Sequence, residues 1–303
     1  MGVIEMTIFN RRKLPKEKVR RTKGEKVVFS IMFVILSLEC LSILIAFGLT
    51  VINSFKDPFD YALGNTWKLP DPEYGWHFEN YAKIFTEFNV NGVNFFGLFW
   101  NSVWETLGPT LISLTATVMA SYAYSRFDFF GRKAIFFIVV VLLTLSLPGS
   151  AHSVYKMLND LGLRNSYLYL LVTTSGFNSN FIIFMGFWRG VDWAYAEAAY
   201  MDGANEWQVL TKIMVPMIAP MVGVTIINGF IGGWLNENPS MLHLPEMPSL
   251  GYGLFLYQAK STRSMNYPVF FAVLIFVSIP SMITFAFLHE KTIKMMNIGG
   301  LKG

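Results

Sequence analysis

Few residues in this sequence are arranged for chemistry, and those few are polar groups set into apolar surroundings. The four histidines, His77, His152, His243 and His289, are scattered, and Cys40 is the sole cysteine. That composition points to no metal centre and leaves no intramolecular disulfide to form. No G-x-x-x-x-G-K-[ST] phosphate loop occurs, and no nucleophile–base pair is visible. Three arrangements remain. The first is EAAYMDGANEW, Glu197 to Trp207, small and polar and cut by an Asp-Gly turn. The second is Ser175-Gly176-Phe177-Asn178-Ser179-Asn180, whose amides and hydroxyls could hydrogen-bond sugar hydroxyls while Phe177 stacks on a sugar face. The same groups could equally glue one helix to its neighbours. The third is Glu39, a carboxyl inside an apolar run, either buried structurally or able to carry a proton.

These groups need a scaffold, and composition says which. The chain has 303 residues, is 53% hydrophobic with 28 Phe, and only 15% of it is charged. Mean hydropathy is +0.43. Such a chain belongs to the membrane class. Six runs are long enough to span: 27–53, 102–125, 134–155 (interrupted near Pro148), 166–188, 214–236 and 268–288. Pro109 and Pro280 fall inside two of them; proline is tolerated there where neighbours satisfy the freed carbonyls. The expected fold is an all-α membrane protein of six transmembrane helices. Residues 1–26 form a basic arm, 27–289 the membrane body and 290–303 a tail. The first run is too long for a signal-peptide core and is expected to remain as an anchor.

Charge sets the orientation. Of the 24 Lys and Arg, 17 lie on the arm, the 126–133 turn, the 189–213 loop and the tail. By the positive-inside rule both termini and the 189–213 loop are cytoplasmic. This clustering also assigns the net charge of +4 to topology rather than to nucleic-acid binding. The opposite side carries two long loops, 54–101 and 237–267. Their aromatics, among them Trp67, Tyr74, Trp76, Tyr81, Tyr252 and Tyr257, predict partial order, either as an interfacial belt or as a docking surface for an external partner.

Local rules shape the 192–216 segment. Asp192 is placed to cap a helix starting at Trp193, and Ala194, Ala196, Ala198 and Ala199 favour that helix. Asp202-Gly203 should stop it, since Gly accepts the left-handed conformation. Asn205 and Gln208 have capping-box spacing for a second helix. Ile213 and Pro216 then lead into the fifth membrane helix, with proline in its first turn. The expected product is two short helices at an angle, presenting Glu197 and a small-residue face.

Glu197-Ala198-Ala199, Asp202-Gly203-Ala204, Ile213 and Pro216 resemble the EAA signature of permease subunits in binding-protein-dependent ABC importers, with no gap in spacing. Asn101-Ser102, Ala123-Tyr124 with Arg126, and Pro148 look like the same family. The ending Gly299-Gly300-Leu301-Lys302-Gly303 resembles the second permease subunit of the maltose-type carbohydrate branch. Asp192 stands where many relatives have proline, Val215 where leucine is usual, and Leu235-Asn236 follow Trp234 where the family commonly has Asn-Asp.

The resemblance implies a type I ABC importer permease fold in a bacterial or archaeal cell membrane, with the EAA loop as the coupling helix to a cytoplasmic ATPase. It implies a non-catalytic subunit that binds no cofactor, while ATP and Mg are used by two partner ATPase subunits. It also implies a second permease subunit completing a heterodimer and an extracytoplasmic solute-binding protein delivering a sugar, an oligosaccharide more than a monosaccharide. The coupling residues carried over are Glu197, Ala198, Ala199, Asp202, Gly203, Ala204, Ile213 and Pro216. Substrate-path candidates are Phe177, Asn178, Ser179, Asn180, Trp234 and Asn236. An ABC importer for another polar solute, or a proton-coupled carrier using Glu39, are the alternatives.

Overall fold

The computed structural model describes residues 22–145, 150–259 and 266–299, with backbone only for residue 150 and for 288–299. Pro148, the arm up to residue 21 and the glycine-rich ending from residue 300 lie outside the described residues. The described residues form no strand beyond one isolated bridge, Val90 to Val93. In chain order the helices are α1 (Lys23–Ser54), α2 (Pro58–Ala62), α3 (Glu79–Glu87), α4 (Phe95–Arg126), α5 (Arg132–Thr144), α6 (Ser150–Asp160), α7 (Tyr169–Thr173) and α8 (Ser179–Gly190). They continue with α9 (Ala194–Met201), α10 (Glu206–Gln208), a π-helical turn (Val209–Met214), α11 (Val215–Met217), α12 (Ala219–Gly233), α13 (Asn238–Leu242), α14 (Leu250–Ala259) and α15 (Tyr267–Gly299).

The chain divides into two units, residues 1–49 and 50–303. The first consists, where described, of the body of α1, apolar on every face; Phe33, Leu44 and Ile43 are all exposed. A helix of that kind is stable in lipid. Glu39 stands exposed on it, and its carbonyl accepts from Ser42 Oγ at 2.8 Å. Among the described residues, two helices are long and apolar enough to cross a membrane, Lys23–Ser54 and Tyr267–Phe287. The pair Glu206–Met217 and Ala219–Gly233, meeting at 77°, makes a third if it is one bent span.

In the second unit α4 is the spine. It packs against α8 and α12, and α12 packs in turn against α15. One core joins Ile84 and Phe88 at α3, Phe95 and Leu98 of α4, Phe230 and Trp234 at α12, Leu250 of α14, and Phe270 and Val273 of α15. A second joins Leu114, Val118 and Tyr122 of α4 to Phe184 and Trp188 of α8 and to Ala196, Val209 and Met214.

Two expected spans are not continuous. The run 166–188 breaks between α7 and α8, and polar side chains meet the backbone there. Phe177 N–H donates to Ser175 Oγ (3.0 Å), Asn180 N–H to Asn178 Oδ1 (2.9 Å), and Ser113 Oγ to the Ser175 carbonyl (3.3 Å). The fifth run bends at Ile218, because the π-helical turn sets Pro216 in α11, and the helix proper restarts at Ala219 with Pro220 in its first turn. Pro216 therefore closes the short approach instead of opening the long helix.

The described parts of the long loops, 54–101 and 237–259, are built from short helices and turns. Lys56 is fully buried and donates to the Asn65 carbonyl, and burial holds its ammonium below the usual lysine range. Asn80 Nδ2 donates to the carbonyls of Ser54 and Lys56, both at 2.9 Å. Tyr81, Tyr252 and Tyr257 pack against the first core, whereas Trp67 and Trp76 are exposed. So the loop aromatics divide between packing and surface.

Gly176 sits in the α7–α8 break where a Cβ would meet the Ala116 carbonyl carbon and oxygen at 2.8 Å. Gly176→Ala must push backbone away from backbone. It is expected to cost about 1–3 kcal/mol, read as a lowered midpoint in thermal unfolding of the purified protein.

Candidate functional site: the α4 cleft and the 192–216 loop

The loop builds itself largely as local rules require. Asp192 Oδ1 accepts from Ala194 N–H at 3.1 Å, so it caps the first turn, but α9 begins at Ala194 and Trp193 takes the N-cap position without a side-chain bond. The expected start at Trp193 is thus one residue early, because Asp192 reaches past its neighbour. Gly203 has φ +83°, Ala204 N–H donates to the Ala199 carbonyl and Gly203 N–H to the Tyr200 carbonyl, both 3.0 Å. That pair of bonds is a Schellman stop, which needs a left-handed residue at Gly203. Asn205 and Gln208 then form a reciprocal capping box, with bonds of 2.9 and 3.0 Å.

Burial sorts the loop's two faces. Ala196 and Ala199 are buried, while Glu197 and Ala198 are exposed. Met201 is 87% exposed, and Tyr195 and Trp207 are also exposed. The free face of the loop is therefore one carboxylate among small and large apolar groups. Asp202 and Pro216 are exposed, and Ala204 and Ile213 are half-buried against the second core.

Two joints fix the loop to α4. Arg126 Nη2 donates to the Trp188 carbonyl and, at 2.6 Å, to the Val191 carbonyl, and its guanidinium lies 5.1 Å from the Trp193 ring centre. Glu206 accepts from Tyr122 OH at 2.8 Å and from Tyr200 OH. Burial first, and then the Glu206 carboxylate, raise the Tyr200 phenol, which keeps it a donor. Trp188 Nε1 donates to Ser121 Oγ at 2.9 Å. Neither joint was foreseen from the sequence; the only hint was Arg126 at the end of a long apolar run.

A cleft of about 540 Å³ opens between α4, α7 and α12. The α4 wall presents Glu105, Thr106, Thr110, Ser113 and Thr117, spaced to share one helical face. Asn180 and Asn236 line it as well. The other proposed path residues lie elsewhere. Asn178 turns its amide to Ser113 Oγ (2.9 Å) and Thr117 Oγ1 (3.0 Å), which joins α8 to α4. Phe177 is half-exposed and packs edge-on against Phe181, and Ser179 is exposed at the start of α8. Trp234 is 2% exposed, donates to the Val277 carbonyl at 2.8 Å and stacks on Phe230; it belongs to the core.

Arg126→Ala removes two charge-assisted bonds to carbonyls and one cation–π contact. The amides of 192–208 are then expected to exchange with solvent about tenfold faster or more, read by hydrogen–deuterium exchange on the purified protein.

No protein-family model matches the chain. It is similar to the diacetylchitobiose uptake system permease protein NgcG of Streptomyces coelicolor, 26% identical over 251 residues, covering 80% of this chain and 78% of the relative. It is similar to the maltodextrin transport system permease protein MalD of Streptococcus pneumoniae, 28% identical over 235 residues, 73% of this chain and 83% of the relative. The probable ABC transporter permease protein YurM of Bacillus subtilis is 27% identical over 301 residues, 95% of this chain and 93% of the relative. Among solved structures, a chain of a bacterial ABC transporter involved in import of the acidic polysaccharide alginate superposes with a TM-score of 0.73 at 19% identity, covering 89% of this chain and 98% of that one. The fold is therefore the helical fold of an ABC importer chain.

Proposed function

We propose that the chain is the membrane-spanning subunit of an ATP-driven ABC importer and forms half of the path for an oligosaccharide. The relatives are sugar-system permeases along most of this chain, and the fold matches an importer chain. The observation that carries the mechanism is the 192–208 loop, closed by a Schellman stop and a capping box and jointed to α4, with Glu197, Tyr195 and Met201 turned outward. An exposed apolar patch around one carboxylate suits a partner surface.

In this reading the six expected spans hold the body in the cell membrane with both termini in the cytoplasm, and α9 docks on one of two partner ATPases. The chain itself is not catalytic; ATP and Mg act in the partners. A second permease subunit faces the α4 cleft, and a solute-binding protein delivers the sugar from outside. Polar side chains at membrane depth are costly unless they face protein or water, and threonine hydroxyls and asparagine amides suit sugar hydroxyls. Closure of the ATPases on ATP pulls the loops, and the joints at Arg126 and Glu206 pass the movement to α4. Driving a bundle from 1:99 to 99:1 takes about 5.5 kcal/mol of differential binding, which ATP supplies. The residues assigned to coupling are Glu197, Ala198, Ala199, Asp202, Gly203, Ala204, Ile213 and Pro216.

Gly203→Pro cannot adopt φ +83° and lacks the N–H that meets Tyr200. Glu197→Lys reverses an exposed charge and leaves the fold alone. Both variants are expected to insert in the membrane and to lose ATP-driven sugar uptake. Wild-type uptake by Glu197→Lys together with Gly203→Pro would remove the coupling role from this loop.

A further inference from the structure

The turn between α4 and α5 belongs to neither the cleft nor the 192–208 loop. Its sequence, Phe127-Asp128-Phe129-Phe130-Gly131-Arg132-Lys133, sets three aromatic rings beside two cations. Gly131 takes φ +83°, which a residue with a side chain adopts only under strain, and Ile135 N–H donates to its carbonyl at 2.9 Å. Phe127 packs edge-on against Tyr122 at 6.0 Å, and Phe129 against Tyr124 at 6.2 Å. Those contacts leave Phe130 fully exposed.

Beside the turn lies a hollow of about 630 Å³, lined by Tyr124, Phe129, Arg132 and Lys133 among others. The Arg132 guanidinium lies 4.8 Å from the Tyr124 ring centre and donates to the Asp128 carboxylate, which also lines the hollow. Asp128 is 95% exposed, and an exposed i,i+4 pair of this kind is weak, so a second anion can share the guanidinium fork. Lys133 is exposed and forms no ion pair among the described residues. With Asp128 counted, the hollow keeps one net positive charge.

A fully exposed phenylalanine is costly in water and favourable at the acyl boundary of a membrane. The turn joins the second and third expected spans on the side where Lys and Arg gather, which sets it at the headgroup level of the leaflet that carries anionic lipid. A phosphodiester has one negative charge and accepts from a guanidinium in fixed geometry. We propose that this hollow binds the headgroup phosphate of an anionic phospholipid through Arg132 and Lys133, with Phe130 inserted at the acyl boundary. The inference rests on α4 and α5 being membrane spans with this turn on the cytoplasmic side, and not on the coupling role of the 192–208 loop.

The test uses the full-length chain in vesicles of phosphatidylglycerol and phosphatidylcholine, with and without co-expressed partner subunits. In a Cys40→Ser background, Phe130→Cys carries a nitroxide, and oxygen is expected to relax it several-fold more than a water-soluble nickel chelate does. Native mass spectrometry of the chain released from these vesicles is expected to show phosphatidylglycerol retained in excess of phosphatidylcholine. Arg132→Gln and Lys133→Gln are each expected to cut that excess about fivefold, while Arg132→Lys, which keeps the charge, retains most of it.

Equal retention of the two lipids by the wild-type chain overturns the proposal, and so does an unchanged excess in a variant carrying both glutamines. A label that the nickel chelate reaches more readily than oxygen overturns it too, because residue 130 then stands in water. Shielding of the label only when the ATPase is present assigns the turn to a protein partner instead. Loss of ATP coupling leaves these readouts untouched, whereas a chain that alkaline carbonate strips from membranes contradicts the membrane-spanning reading itself.

Discussion

Backbone N–H and C=O groups away from water must find partners inside the protein, and the second unit is organised by that constraint. A continuous helix meets it almost alone, as α4 does over 32 residues save at Pro109, which has no N–H for the Glu105 carbonyl. The segments beside α4 are interrupted, and α4 supplies the missing partners. Ser113 meets the Ser175 carbonyl in the α7–α8 break, and with Thr117 it anchors the Asn178 amide. Arg126 meets the carbonyls that end α8 and lead into the loop. Ser102 accepts from the Leu250 N–H at 2.8 Å at the start of α14. Polar side chains along one helix thus support the break, the loop and the outer segment.

Site and scaffold coincide at Ser113 and Thr117. Both meet the α7–α8 break and both line the cleft, since residues three and four apart share a side. Thr106 and Thr110 lie beside Gly233 and Gly229 of α12, and at Gly229 a Cβ would meet Thr110 at 2.6 Å. The helices approach closely at the glycines. The hydroxyls and Glu105 remain as the wall, and α4 contacts both the cleft and the loop.

Much of this was legible in the sequence wherever short-range rules decide. The stop at Gly203 and the capping box at Asn205 and Gln208 follow from neighbours within a few residues, and the span ends expected at 53 and 125 fall one residue short of the helix ends at Ser54 and Arg126. The break at 174–178 was not, because leucines, valines and phenylalanines on both sides keep the hydropathy of a continuous span. Its polar run reads as helix glue more than as sugar contact, and the structure gives Asn178 the first role and places Asn180 on the cleft. The bend at Ile218 was missed because Pro216 and Pro220 are both plausible first-turn prolines, and the π-helical turn that chooses between them has no sequence signature. Glu105 went unnoticed because its partner Ser240 is 135 residues away. Trp234 is a substrate-path candidate by sequence, but its indole N–H is committed to the Val277 carbonyl, a partner in another helix.

In the proposed function the 192–208 loop couples this chain to a separate ATPase. The most direct measurement is ATP hydrolysis by a complex purified through a tag on that ATPase and containing this chain and a second permease subunit, with and without sugar-loaded binding protein. The account predicts a stable complex whose hydrolysis rises only when loaded binding protein is added. An intact, membrane-inserted chain that no ATPase retains, with sugar uptake driven by a proton gradient and lost in Glu39→Gln, would contradict it.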